Sequence, residues 1–289
     1  MEEAVRETKK KTKVLIATNL YQIDPVCYAG HLKMFYQLGK AFDEFEIVFH
    51  GPWRMPIDVA RNSAAKTAMR LECDYLLFYD DDMYFSTGQD IVKLLRTIRD
   101  SNDTIHVLQA LAYVRGYPFK PMCFKKAEIE EQQRTGFFDD YKDYVDENGL
   151  VKCDAVGCCA TVIDVNLFKL TPEPWFLTGK MHTEDVYFCV KAQQFVGNVG
   201  VYMDTTIKVG HLLEKIVLTE DNRDILLKIH EKYKLNQLFL PDPTFVELLK
   251  ASNFGNNIAI DEVLRPNPLE INEINDKDES LVTGLKDNV

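Results

Sequence analysis

The sequence predicts an α/β fold with a mostly parallel central sheet flanked by helices on both faces, an irregular insertion past the middle and a C-terminal arm. Three observations predict it. Apolar runs without alternation, as expected of strands covered on both faces, take turns with helical stretches, giving strand–helix–strand–helix–strand over the first 82 residues. The run Asp74-Tyr75-Leu76-Leu77-Phe78-Tyr79 has the length and Leu/Tyr/Phe content of a buried strand, and it ends abruptly in Asp80-Asp81-Asp82. The bulk is that of an ordinary globular chain: 289 residues, 46% hydrophobic and 27% charged, enough for one large domain or a domain with an appendage.

Taken in order, residues 1–12 read as a polar leader. Residues 13–19 are the first strand and deliver Thr18 and Asn19 to its carboxyl end. Residues 26–42, with Leu32, Phe35, Tyr36, Leu38 and Phe42 at helical spacing, are a helix, and 45–50 a second strand broken by Gly51-Pro52-Trp53. An Ala-rich helix follows at 56–71, with Pro56 near its first turn, where proline is tolerated, and with Arg61 and Asn62 early in it. Residues 87–99 form an amphipathic helix and 104–114 a strand.

From 115 to 150 regularity is lost, with Pro118, Pro121, Gly136, Gly149 and an acidic–aromatic run at 137–144. A loop this long is more often functional than decorative, and it is expected beside the site. Order returns at 151–168, where the small residues Gly157-Cys158-Cys159-Ala160 fit either a close approach to the backbone or a tightly packed core strand. Trp175, after Pro174, fits a sugar-facing ring or a packing anchor equally well. Thr183 is placed as an N-cap, with Glu184 and Asp185 in the first turn, where the helix dipole favours carboxylates. A strand at 199–209 leads into Gly210-His211, and a helix occupies 219–233. Beyond about residue 240 the periodicity weakens, and 261–289 is polar and acidic.

Charge and cysteine usage narrow the functional classes. A net charge of −11 argues against general binding to nucleic acid or anionic membranes, which clustered Lys and Arg drive. No stretch approaches the roughly 18 apolar residues of a membrane span. The charged N-terminus lacks the apolar core of a secretory signal. Seven scattered cysteines without a C-x-x-C pair disfavour a structural zinc and fit a reducing, cytoplasmic setting.

The acidic triplet carries the chemistry. In open α/β sheets the rim beyond the carboxyl ends of the strands is where ligands bind. Three adjacent carboxylates there repel one another unless a cation sits among them, and Mg²⁺ typically takes one or two carboxylates plus phosphate oxygens. The expectation is a metal–phosphate site at the end of a central strand; the plain alternative is a solvated acidic turn.

The order of motifs is more specific than any one of them: strand, helix, strand; Arg61-Asn62 on a helix; Asp80-Asp81-Asp82; a small-residue strand; Glu184-Asp185 opening a helix; His211 after a strand. Over roughly residues 13–235 this resembles the GT-A class of nucleotide-sugar glycosyltransferases, in particular family-2-like members with a D-x-D motif. The resemblance implies a GT-A-like fold and a transferase that uses a nucleotide sugar, a UDP-sugar foremost, as donor co-substrate. It implies Mn²⁺ or Mg²⁺ on Asp80 and Asp82, with His211 completing the metal site. Thr18, Asn19, Arg61, Asn62, Asp80 and Asp81 would face the nucleotide, with Asp81 toward the ribose or a structural partner. Glu184 and Asp185 would be the catalytic acids, Asp185 serving as general base of an inverting enzyme; the simpler reading of that pair is a set of capping acids. For His211 the alternative is a satisfied loop histidine, and His182 is a second candidate near the site. The acceptor is a hydroxyl, on a glycan foremost, with a protein or a hydroxylated DNA base as other choices.

This reading divides the chain into a leader at 1–12, a catalytic domain at 13–240 and a C-terminal extension at 241–289. The catalytic domain has a nucleotide-binding half at 13–114 and an acceptor half at 115–240. The nearest rival is a nucleotidyltransferase acting on a sugar phosphate. It would be expected to carry a Gly-rich phosphate loop after the first strand, where Leu20-Tyr21-Gln22-Ile23-Asp24-Pro25 has no glycine. A non-catalytic sugar- or nucleotide-binding protein is the third reading.

Overall fold

Residues 10–129, 132–137, 140–179, 182–213 and 216–233 are described by a computed structural model. The expected extension at 241–289 and most of the leader lie outside them. The chain divides into two units, Met1–Arg223 and Asp224–Val289. Of the second unit, residues 224–233 are described and are helical.

The chain runs β1 (Thr12–Ala17), α1 (Pro25–Lys40), β2 (Phe45–His50), α2 (Ile57–Arg70), β3 (Tyr75–Tyr79), β4 (Met83–Tyr84), α3 (Gln89–Arg99) and β5 (Val107–Leu111). Then come β6 (Cys123–Ile129), β7 (Gln132–Phe137), β8 (Leu150–Lys152), β9 (Ala155–Val156), β10 (Ala160–Asp164), α4 (Asn166–Leu170) and α5 (Glu184–Val196). The last are β11 (Val201–Lys208), β12 (Gly210–Leu213), β13 (Ile216–Leu218) and α6 (Glu220–Tyr233).

The central sheet has seven strands in the order β2-β1-β3-β10-β5-β11-β8. From the pairings, β2, β1, β3, β5 and β11 run one way, and β10 and β8 run against them. The mostly parallel α/β sheet read from the sequence is therefore present, with an antiparallel strand inserted beside β3. Its inner strands β1, β3, β10 and β5 are largely buried because helices cover both faces. Val14, Ile16, Leu77 and Tyr79 pack with Met34 and Leu38 of α1 and Ile91, Leu94 and Leu95 of α3. The opposite face meets α2, whose Ala60, Ala64, Ala65 and Ala68 let helix and sheet approach closely. There Phe78 meets Phe176, and Phe176 stacks on Phe188 of α5 with centroids 4.8 Å apart.

Two expectations change. The stretch at 115–150, read as irregular, contains the antiparallel hairpin β6–β7, paired from Phe124↔Phe137 to Ile129↔Gln132, with β9 on its other side. The strand expected at 104–114 is shorter, and Val114 instead begins a tight loop closed by Val114 N–H donating to Lys120 O at 3.0 Å. Trp175 resolves as a packing anchor: it is 3% exposed, and its Nε1 donates to Phe168 O and Thr171 O. All seven cysteines are free and buried. Among the described residues no helix is long and apolar enough to cross a membrane.

Candidate functional site

The parallel strands set the location. The carboxyl ends of β1, β2, β3 and β5 share one rim, and the antiparallel β10 brings its amino end there too. A cavity of about 430 Å³ opens on that rim. Its wall takes Asn19, Leu20 and Tyr21 from after β1, Pro52, Arg54 and Met55 from after β2, and Asp80, Asp81 and Asp82 from after β3. Arg61 of α2, Arg115, Cys158, Cys159, Thr183, Glu184, Asp185 and His211 complete most of the rest.

The three aspartates follow β3 on one turn and have three different fates. Asp80 is drawn inward, where its N–H pairs with Cys159 O and its carboxylate accepts from Arg61 Nη1 at 3.3 Å, Arg61 Nη2 at 2.9 Å and Asn19 Nδ2 at 3.2 Å. Burial pushes its carboxyl up to about 6, with Arg61 opposing and Asp82 adding to the rise. Asp81 turns back to the β1 loop and accepts from the backbone N–H groups of Tyr21 at 2.7 Å and Gln22 at 3.0 Å. Of the two roles foreseen for Asp81, this contact is the structural one.

Asp82 faces the cavity. Its backbone carbonyl accepts from Leu212 N–H, and β4 beside it pairs with β12, so that Met83 lies opposite His211. This two-residue strand carries a histidine 129 positions away to the acidic turn, placing His211 Nε2 3.3 Å from Asp82 Oδ2. Arg115 Nη1 lies 3.1 Å from the same oxygen. Burial disfavours ionised Asp82, but the hydrogen bond and charge of His211, with Arg115, outweigh it and hold the carboxyl below its ordinary value.

The other ring nitrogen of His211 fixes what Nε2 can do. Nδ1 lies 2.8 Å from the carbonyl oxygen of Tyr113. A carbonyl only accepts, so Nδ1 carries a proton. In the neutral ring Nε2 is then a bare lone pair facing a carboxylate oxygen. That contact calls for positive charge between the two: a second ring proton or a cation. A backbone carbonyl on the far nitrogen is also how metal-ligating histidines are commonly oriented. The donor set Asp82–His211 therefore fits a divalent cation whose remaining ligands come from phosphate and water. Asp80 fits less well, because Arg61 engages both of its oxygens. Among the described residues no group of three or more His, Cys, Asp or Glu side chains is arranged to hold a metal.

Arg61 joins the two acidic motifs. It lies on the sheet-facing stripe of α2 with Ala65 and Ala68, only 3% exposed, with its guanidinium 4.7 Å from the Phe78 ring centroid. Besides Asp80, its Nε donates to Glu184 Oε1 at 3.0 Å. Burial works against its charge, and the carboxylates of Asp80 and Glu184 more than restore it.

Thr183 stands at the N-cap of α5 but makes no capping bond; its hydroxyl donates to Asp185 Oδ1, which also accepts from Val186 N–H at 2.7 Å. Among the described residues these bonds fall on Oδ1. Burial, then the neighbouring Glu184 charge, push the Asp185 carboxyl up.

Three sequence candidates lie elsewhere or are occupied. Asn62 does not line the cavity. Its Oδ1 accepts from Trp175 and Phe176 N–H, and its Nδ2 donates to Asp58 O and Phe176 O, so it pins a loop instead of facing a nucleotide. Thr18 is buried behind the wall with Oγ1 unpartnered among the described residues, and Asn19 Oδ1 is likewise unpartnered. His182 stacks on Tyr187, outside the cavity lining. Sequence reasoning missed Arg54 and Arg115. Arg54 is held beside the rings of Tyr21 and Trp53, 5.8 and 5.2 Å from their centroids. A Pro/Gly-flanked arginine on each of two rim loops was the available signal.

No family model matches the chain, and no curated protein matches it. Solved structures do. The chain is similar to A197 from STIV at 18% identity and a TM-score of 0.48, over 73% of this chain and 91% of that one. It is similar to 4-diphosphocytidyl-2C-methyl-D-erythritol synthase from Anaerococcus prevotii at 11% identity and a TM-score of 0.38, over 76% and 96%. An apo UDP-glucose pyrophosphorylase matches at 6% identity and a TM-score of 0.41, over 78% and 100%. Overlap at this level does not define an activity.

Proposed function

We propose that this protein is a metal-dependent glycosyltransferase that moves a sugar from a nucleoside-diphosphate donor, a UDP-sugar foremost, to an acceptor hydroxyl. The observation that carries the reading is the pairing of Asp82 Oδ2 with His211 Nε2 at 3.3 Å on a cavity that also holds Asp185. Asp82 and His211 would hold Mn²⁺ or Mg²⁺, which when bound neutralises the departing diphosphate as a Lewis acid. Asp80 adds negative charge beneath them while Arg61 and Asn19 fix its orientation. Arg54 and Arg115 supply the exposed positive charge of the rim. Glu184 secures Arg61, leaving Asp185 to take the proton of the attacking hydroxyl. Burial brings that carboxyl closer to neutrality, which favours a general base. A base on the acceptor side fits an inverting course. The acceptor is a glycan foremost, with a protein or a hydroxylated DNA base as further choices.

Nucleotidyl transfer to a sugar phosphate is the second reading. It would use the same cation and phosphates. A sugar phosphate attacks as an anion and needs no base, so Asp185 would be idle, and the loop after β1 lacks the glycines that would cradle a triphosphate. Products separate the two. Incubation with UDP-, GDP- and dTDP-sugars, with and without Mn²⁺, should release nucleoside diphosphate only with metal. Formation of UDP-sugar and pyrophosphate from UTP and a sugar 1-phosphate would establish the second reading instead. No metal-dependent turnover in either direction, with no thermal shift by UDP or GDP, rejects both and leaves a non-catalytic binding protein.

A further inference from the structure

The ion pair between Arg115 and Asp82 has no role in the mechanism above. Asp82 Oδ2 is contacted by both Arg115 Nη1 at 3.1 Å and His211 Nε2 at 3.3 Å. A divalent cation arriving at that oxygen competes with the partners already there. The two are not equally displaceable. His211 is 7% exposed, lies in a strand and is tied through Nδ1 to Tyr113 O. The Arg115 side chain is 58% exposed, at the end of a flexible stem. Its backbone is the fixed part: the Val114–Lys120 bond, the Tyr113–Pro121 bridge and the Met122–Ala112 bond close the loop that bears it. The guanidinium can thus leave Asp82 without leaving the cavity.

We infer that Arg115 is a displaceable counter-ion: it neutralises Asp82 before ligand arrives, yields that oxygen to the divalent cation, and then binds the donor's diphosphate. Guanidinium suits both partners, since its planar fork matches carboxylate and phosphate alike. The exchange explains why an exposed arginine reaches inward toward an aspartate already served by a histidine. It also makes cation and donor bind in concert, because the cation releases the group that the diphosphate needs. This inference rests on the metal-and-donor reading of the same cavity.

The test is binding, not turnover. Mn²⁺ is titrated into the wild-type chain and into Arg115→Ala and Arg115→Lys without nucleotide, followed by electron paramagnetic resonance. UDP and UMP are then titrated by calorimetry at saturating Mn²⁺. Loss of a partly exposed competitor should tighten Mn²⁺ binding to Arg115→Ala by about twofold to fivefold. Loss of a charge-assisted contact should weaken UDP by about tenfold or more while changing UMP little. Arg115→Lys should recover part of the UDP affinity. Mn²⁺ bound no more tightly by Arg115→Ala, or UDP bound as by the wild type, overturns the inference. Equal losses for Mn²⁺, UDP and UMP would make Arg115 a structural support and overturn it too. If the wild-type chain itself binds neither Mn²⁺ nor UDP, the glycosyltransferase reading has failed, and this inference with it.

Discussion

Two charge clusters in this molecule have opposite composition and opposite settings. In one, a single arginine serves two carboxylates: Arg61, 3% exposed, between Asp80 and Glu184. In the other, a single carboxylate serves two arginines: Glu44 accepts from Arg96 Nε at 3.1 Å and Arg99 Nη1 at 3.0 Å at the surface, where the Arg96 side chain is 49% exposed. The surface cluster adds what any solvated ion pair adds. The buried one cannot lose a member without stranding charge in the core. It also sorts the acidic motifs. All four acids line the cavity, but each motif gives one carboxylate to Arg61, Asp80 from the first and Glu184 from the second, while Asp82 and Asp185 make no hydrogen bond with it among the described residues. Adjacent acids with the same chemistry in sequence thus acquire different partners in space.

The contrast can be broken by substitution. The largest effect on stability is expected from Arg61→Met, which leaves Asp80 and Glu184 without their shared counter-ion and should cost about 3–5 kcal/mol in urea unfolding. A loss below about 1 kcal/mol, the range of surface ion pairs, would mean that solvent reaches the pair and the buried–exposed distinction fails. Next comes Asp185→Asn, which should lower kcat by about 10²–10⁴-fold while leaving UDP affinity unchanged in calorimetry. An equal loss of UDP affinity would make Asp185 a cap or a ligand. Asn62→Ala strands the Trp175 and Phe176 N–H groups and should cost about 1–3 kcal/mol with no change in UDP affinity.

The smallest effect belongs to Glu44. Hydrogen bonds from Arg96 and Arg99 hold its carboxyl at about 2, against an ordinary 4.5. A depressed carboxyl stabilises the fold above its ordinary value and loses that contribution as pH falls through the folded one. The stability difference between wild type and Glu44→Gln should therefore be constant from neutrality down to the ordinary carboxylate range and shrink below it. It should stay under about 1 kcal/mol and fade in about 1 M salt.

The sequence made the frame of this site legible, because its signals are local. The first three strands, the Ala-rich helix and the acidic end of β3 follow from apolar runs and their punctuation. Glu184 and Asp185 follow from the opening of a helix. What was hidden is non-local. Nothing in Asn62 reports that Trp175 and Phe176 lie against it, more than 110 positions away. Arg61 reads as a nucleotide contact, and nothing near it in sequence reports that β3 and α5 bring Asp80 and Glu184 to it. The β6–β7 hairpin was missed because Lys125, Lys126, Glu128, Gln132, Gln133 and Arg134 give no apolar alternation, and cross-strand pairing sets its register. Met83-Tyr84 is too short to read as a strand, yet its pairing with β12 joins Asp82 to His211.

The central claim is that Asp82 and His211 form the cation-binding end of a nucleotide-sugar cavity. Calorimetric titration of UDP into the wild-type chain, Asp82→Asn and His211→Ala, each with and without Mn²⁺, tests it most directly. The wild-type chain should bind UDP at least about tenfold more tightly with Mn²⁺, and neither variant should show that gain while Asp82→Asn keeps the wild-type melting temperature within about 3 °C. UDP affinity indifferent to Mn²⁺ in the wild-type chain, or a metal-dependent gain that survives in Asp82→Asn, would contradict it.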